Sequence, residues 1–245
     1  MASILDRYGI KEVADVTFYK IQPDGSIGAP ELYLDTLKVS TIEQTAENTS
    51  ARGGKGNPEL ITWDYGKEIT VTLEDALFSA KSMAIMFGSV DTDGNVVLGS
   101  SASILKTVRK ADVVEGKVTI HNESITIPTE SASYYTADGS AGTSTSYDYV
   151  TFPLSVKDVS VINISAETFP GTYYITGDTY ARRETDGLDE FFQFIIPKAK
   201  VQSEVTLTIE AEGDPSTFSM NLRVLRPSDD SMMKLVKYNL DVPQG

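Results

Sequence analysis

In KEITVTL, residues 67–73, aliphatic Ile69, Val71 and Leu73 alternate with polar Glu68, Thr70 and Thr72. EVTLTIE, residues 204–210, repeats the pattern, with Val205, Leu207 and Ile209 set against Glu204, Thr206, Thr208 and Glu210. A side-chain period of two is that of a half-buried strand. This alternation constrains the chain more than any other feature. One face must find a core, and the other is acidic and threonine-rich. The runs 13–21, 31–42, 104–109, 117–127, 149–156, 159–164, 172–182, 190–196 and 217–225 have strand character as well. Asp24-Gly25 marks the turn of a first hairpin between 13–21 and 31–42, and Asp214-Pro215 the turn of a last one between 201–210 and 217–225. The tail 229–245 is a short helical or extended segment.

One stretch changes period. Through EDALFSAKSMAIMFG, residues 74–88, and the residue before it, apolar Leu73, Leu77, Ala80, Met83 (or Ala84) and Phe87 recur at helical spacing. Thr72 stands where a cap belongs, Glu74 and Asp75 suit the first-turn dipole, and Gly88 is a fitting stop. The expectation is a helix over 74–88, packed on the outside of the β body through Leu77, Met83 and Phe87. Two stretches lack any period. Residues 43–60, EQTAENTSARGGKGNPEL, read as a long loop, and 129–148, TESASYYTADGSAGTSTSYD, as an exposed polar insertion. No convincing linker divides the chain, so a single β-rich domain over 1–245 is expected.

The formal net charge is −14. Tight binding to a nucleic-acid backbone needs clustered Lys and Arg, and this balance argues against it and against adhesion to an anionic membrane. Cysteine is absent, which excludes a disulfide scaffold, a thiolate zinc site and a cysteine nucleophile, and fits a reducing cytoplasm. The N-terminus has no signal-peptide character, and no apolar run approaches the length of a membrane span.

Candidate chemical sites are weak. Asp91, Asp93 and Asn95 resemble the start of a calcium loop, but Gly94 comes fourth instead of sixth and Ala102 stands twelfth where glutamate belongs, so a hairpin turn is expected. ARGGKGN, residues 51–57, lacks phosphate-loop spacing. Its Arg52 and Lys55 form a compact positive pair that an acidic neighbouring subunit can use. His121 is the sole histidine and has no nucleophile elbow to serve. Asp189-Glu190 and Asp229-Asp230 are adjacent acids of the kind expected by chance among 35. Trp63 and Tyr65 share a strand face, either as core or subunit contact or as a sugar-stacking platform. No enzyme activity, cofactor or metal is expected.

Three stretches resemble the tail tube virion proteins of long contractile-tailed bacteriophages: GGKGNPELITWDYGKEITVTLEDALFSAKSMAIMFG (53–88), YYITGDTYARRETDGLDEFFQFIIPKAKV (173–201) and SEVTLTIEAEGDPSTFSMNLRVLRP (203–227). The resemblance implies a β-barrel or β-sandwich with one flanking helix. It also implies a homo-oligomer, with hexameric rings stacked into a tube in the virion tail. Such a tube would be assembled in the host cytoplasm and contact sheath and baseplate proteins. DNA would pass its lumen without specific binding. On that reading Glu204 and Glu210 line the lumen, repelling phosphate, and the loop carrying Arg52 and Lys55, with Trp63 beyond it, contacts a neighbouring subunit. The alternative is a carbohydrate- or receptor-binding β-sandwich of a baseplate, or a decoration protein, with Trp63, Tyr173 and Tyr174 forming an aromatic pocket.

Overall fold

A computed structural model describes residues 7–91, 95–205 and 217–240. The strands, in chain order, begin with β1 (Tyr8–Ile10), β2 (Asp15–Ile21), β3 (Ile27–Leu34), β4 (Leu37–Arg52) and β5 (Glu59–Asp75). Helix α1 (Ala80–Phe87) follows, then β6 (Ile104–Arg109), β7 (Val113–Val114), β8 (Lys117–Ile120), β9 (Glu123–Thr126), β10 (Ser133–Tyr135) and β11 (Tyr149–Leu154). The last are β12 (Thr172–Arg183), β13 (Asp189–Val201), β14 (Phe218–Val224) and β15 (Lys234–Tyr238). Two compact units result, one formed by Gly99–Val161 and the other by the residues on either side.

The flanking residues build a nine-stranded antiparallel sheet along the path β3-β2-β12-β13-β14-β5-β4, with β1 on β12 and β15 on β13. Among the described residues β3 and β4 do not pair, so the sheet stays open and no barrel closes. The architecture is mainly β, consistent with a β-sandwich carrying one helix. Alternation decides what each strand buries. Tyr173 and Ile175 on β12, Val16 and Phe18 on β2, Ile69, Val71 and Leu73 on β5, and Met220 and Leu222 on β14 all enter one core. Each such side chain contributes about 1.5–3 kcal/mol by leaving water. Gly177 on β12 pairs with Phe194 on β13, whose ring lies over the glycine where a Cβ would clash. A buried carboxylate fastens three neighbouring strands: Glu190 on β13 is ion-paired with Arg183 on β12 and, at 2.6 Å, with Lys237 on β15.

The helix is shorter than its sequence suggests. Thr72–Asp75 stay in β5, because they pair with β14 as far as Asp75 opposite Phe218. The Asp75 carboxylate then accepts from the Leu77 N–H and the Thr36 hydroxyl and turns the chain. Ser79, not Thr72, caps α1 through a reciprocal pair with Ser82. Gly88 ends it in the left-handed region, as expected of a stop residue. The buried face is Ala84, Ile85 and Met86, while Leu77 is 64% exposed, so the predicted packing face was wrong at Leu77. Met83 is half-buried against the core.

Residues 99–161 form their own three-stranded sheets, β10-β11-β6 and β7-β8-β9, around Val108, Val118, Ile127, Val150 and Phe152. The expected insertion 129–148 lies within this unit and contains β10 and a run of hydrogen-bonded turns. The expected strand 117–127 is a hairpin, β8 and β9, turning at His121 and Asn122 in positive φ. Of 159–164, only Val161 pairs, bridging Gly99. The expected strand 31–42 is split between β3 and β4. The predicted strand 201–210 is not formed at Gln202–Val205, and from residue 206 to 216 it lies outside the described residues, as does the Asp214-Pro215 turn. The tail contributes β15.

Candidate functional site

The stretch expected to be a loop, 43–60, is the outer part of a long hairpin. β4 and β5 pair from Leu37–Asp75 at the base to Arg52–Glu59 at the tip. Only the base joins the sheet, since β14 pairs with β5 over Thr70–Asp75 and no further. Residues 59–68 of β5 are exposed at every position, as are 43–49 of β4. The sequence looked aperiodic here because neither face meets a core, so nothing selects apolar residues at alternate positions.

A bulge sets which way the arm's side chains point. Between Thr45 opposite Glu68 and Glu47 opposite Tyr65, β5 advances one residue more than β4. Gly66 takes up the extra residue at φ 62, a conformation that costs glycine little. The extra residue reverses the alternation of β5. Ile61, Trp63 and Tyr65 share odd numbers with core-facing Ile69, Val71 and Leu73, yet lie on the opposite face, beside Ala51, Thr49 and Glu47. All three are over half exposed, at 53%, 52% and 53%. An exposed apolar row of this kind on a strand is a candidate contact surface.

At the tip, Gly53 donates its N–H to the Pro58 carbonyl at 3.2 Å, closing the turn that carries Lys55. Arg52 is not free for a partner in the way the sequence suggested, because it pairs with Glu59 across the hairpin at 3.1 Å. Trp63 and Tyr65 do share a face. Glu204 is exposed just beyond β13, and Glu210 lies outside the described residues. The proposed aromatic pocket does not form. Tyr173 is 2% exposed and stacks edge-on against Phe18 in the core, and burial pushes its pKa up to about 12. Tyr174 is half-buried beside Tyr19.

Of the adjacent acids, Asp189, Glu190 and Asp230 are engaged in ion pairs. Asp189 accepts two 2.7 Å hydrogen bonds from Arg182, which hold its carboxyl below the usual range. Asp230 is held down in the same way by Arg226. His121 is an exposed turn residue. Among the described residues no cluster of His, Cys, Asp and Glu has metal-binding geometry. The Asp91 carboxylate accepts from the Asn95 backbone and side-chain N–H groups, both at 2.8 Å, and Asp93 lies outside the described residues.

A comparison with curated proteins finds no match. A family model does match, over residues 8–237, and its span takes in the open sheet, the long arm and the 99–161 unit. An uncovered apolar arm on an open-edged sheet suits a subunit built to assemble, and the chain belongs to the YomU/Tube protein family, whose name points to a phage tube-type structural protein.

Proposed function

We propose that the chain is the subunit of a phage tail tube, closing into hexameric rings that stack into a conduit for DNA. The observation that carries this reading is the arm. A hairpin exposed on both faces, with Ile61, Trp63 and Tyr65 in a row, gains little stability within its own chain. Cover from another copy supplies what is missing. Free strand edges support the same reading, because assembly pairs them and removes an aggregation hazard. The tube runs inside a sheath and ends on a baseplate, in the virion tail, and it acts mechanically rather than by bond chemistry.

In this reading Glu204 and Glu210 line the lumen. Repeated around each ring, they make circles of negative charge that keep DNA phosphates from adhering, within a screening length of about 10 Å at 0.1 M salt. Lys55 at the arm's tip and Trp63 on its shaft contact the neighbouring subunit.

The test is electron microscopy of the purified protein beside a shortened one. Replacing residues 46–67 by Asn-Gly keeps the base pairing up to Thr45–Glu68 and supplies a two-residue hairpin turn. The intact protein is expected to form stacked hexameric rings with Glu204 on the inner wall. The shortened one is expected to remain a folded monomer. Normal tubes from the shortened protein, or Glu204 on the outer surface, would each overturn the corresponding part.

A further inference from the structure

We infer that a groove beside the base of β4 receives the arm of a second copy. This deepens the assembly reading and rests on it. The groove encloses about 500 Å³, and its apolar walls include Val13, Val39, Ile42, Phe192 and Leu235. Leu235 is 58% exposed, and Val39 and Ile42 are more than a third exposed. This is an apolar concavity left open to water, next to strand β4, whose outer edge has no partner among the described residues. A guest strand with free main-chain groups would pair that edge.

The arm has the complementary features. Its row of Ile61, Trp63 and Tyr65 supplies apolar side chains at strand spacing. The outer edge of β5 over 59–68 is also unpaired among the described residues, so edge can meet edge as an added strand. Charge agrees as well. Lys11 and Lys38 outnumber the one acid, Glu12, on the groove's lining and make no ion pair among the described residues, while Glu47 stands beside Tyr65 on the arm's apolar face, likewise without an ion pair. A copy cannot readily fill its own groove. The row begins six residues beyond Val71, the partner of Ile42, a rise of about 20 Å along the strand. Folding the row back would break the ladder in between.

The absence of cysteine makes the test direct. Two single-cysteine proteins, Trp63→Cys and Leu235→Cys, the latter with a size tag, are mixed and oxidised mildly. Melting temperatures close to the parent's show that both are folded. Docking brings the two thiols together, so the mixed dimer is expected to exceed either like-with-like dimer by about tenfold or more. The charge variant Lys11→Glu with Lys38→Glu, in the groove partner, is expected to cut that excess severalfold. Random dimer ratios would overturn the inference, as would a mixed excess insensitive to the charge reversal. Tubes in the microscope without mixed dimers leave the tube and remove the groove. Mixed dimers without tubes leave the pairing and remove the tube.

Discussion

Tyr173 shows how one side chain can carry a measurable signature of the core. Its hydroxyl is buried without a partner among the described residues, and burial, with Glu31 adding repulsion, raises its pKa to about 12. In the unfolded chain a tyrosine ionises near pH 10. The neutral phenol therefore favours the folded state, fully so below about pH 10, and that preference is lost as pH rises toward 12. The loss amounts to about 2–3 kcal/mol. Tyr173→Phe, which removes both the ionisation and an unsatisfied hydroxyl, is expected to gain about 1 kcal/mol at neutral pH. Its advantage over the parent should then widen between pH 10 and 12 in urea unfolding. A difference that stays constant with pH would place the hydroxyl in contact with water.

Pairs of elements carry the next level of constraint. Phe194 occupies the space above Gly177 on the neighbouring strand, an aromatic filling the gap left by a glycine. Gly177→Ala should push the ring off its rotamer and cost about 1–3 kcal/mol. Phe194→Leu in the same chain should recover part of that cost, measured as the denaturant midpoint of single and double variants. An unchanged midpoint in the single variant would mean that the ring moves freely. Strands such as β2, β5 and β12 were legible in the sequence because burial on one face writes itself as alternation. The outer arm was not, because exposure on both faces leaves no pattern to read. The helix start was misplaced because Glu74 and Asp75 suit a strand end as well as a first turn. Pairing with β4 on one side and with β14, from a segment far along the chain, on the other decides between them. The side on which Trp63 and Tyr65 lie was hidden as well. Their shared face follows from spacing, but its reversal at Gly66 depends on register with β4, which a single strand's sequence does not contain. The shared face of the candidate contact was thus legible, and its orientation and receiving groove were not.

At the scale of the whole molecule, the two units keep separate cores. Val16, Ile85, Tyr173, Leu222 and their neighbours form one, and Val108, Val118, Val150 and Phe152 form the other. Gly99 and Val161 exchange both backbone hydrogen bonds, at 2.9 and 2.8 Å, where the chain leaves the first unit and returns. Such a bonded antiparallel pair holds its Cα atoms about 5.5 Å apart, which a short turn can bridge. Replacing 100–160 with a short Gly-Asn turn should leave the remaining chain folded, with a cooperative melt close to that of the intact protein. A melt that collapses or loses cooperativity would show that the first core depends on the second.

The neck has a further consequence in loop-closure entropy. To the strands on either side, everything between Gly99 and Val161 is a single connection. Doubling the length of a flexible connection costs only about 0.6 kcal/mol. A connection that folds with its two ends already side by side has met even that cost within itself. The first unit is thus nearly indifferent to the length of what it carries at this point. The neck is a junction where whole modules can be exchanged, enlarged or shed while the sheet and its arm keep the same sequence.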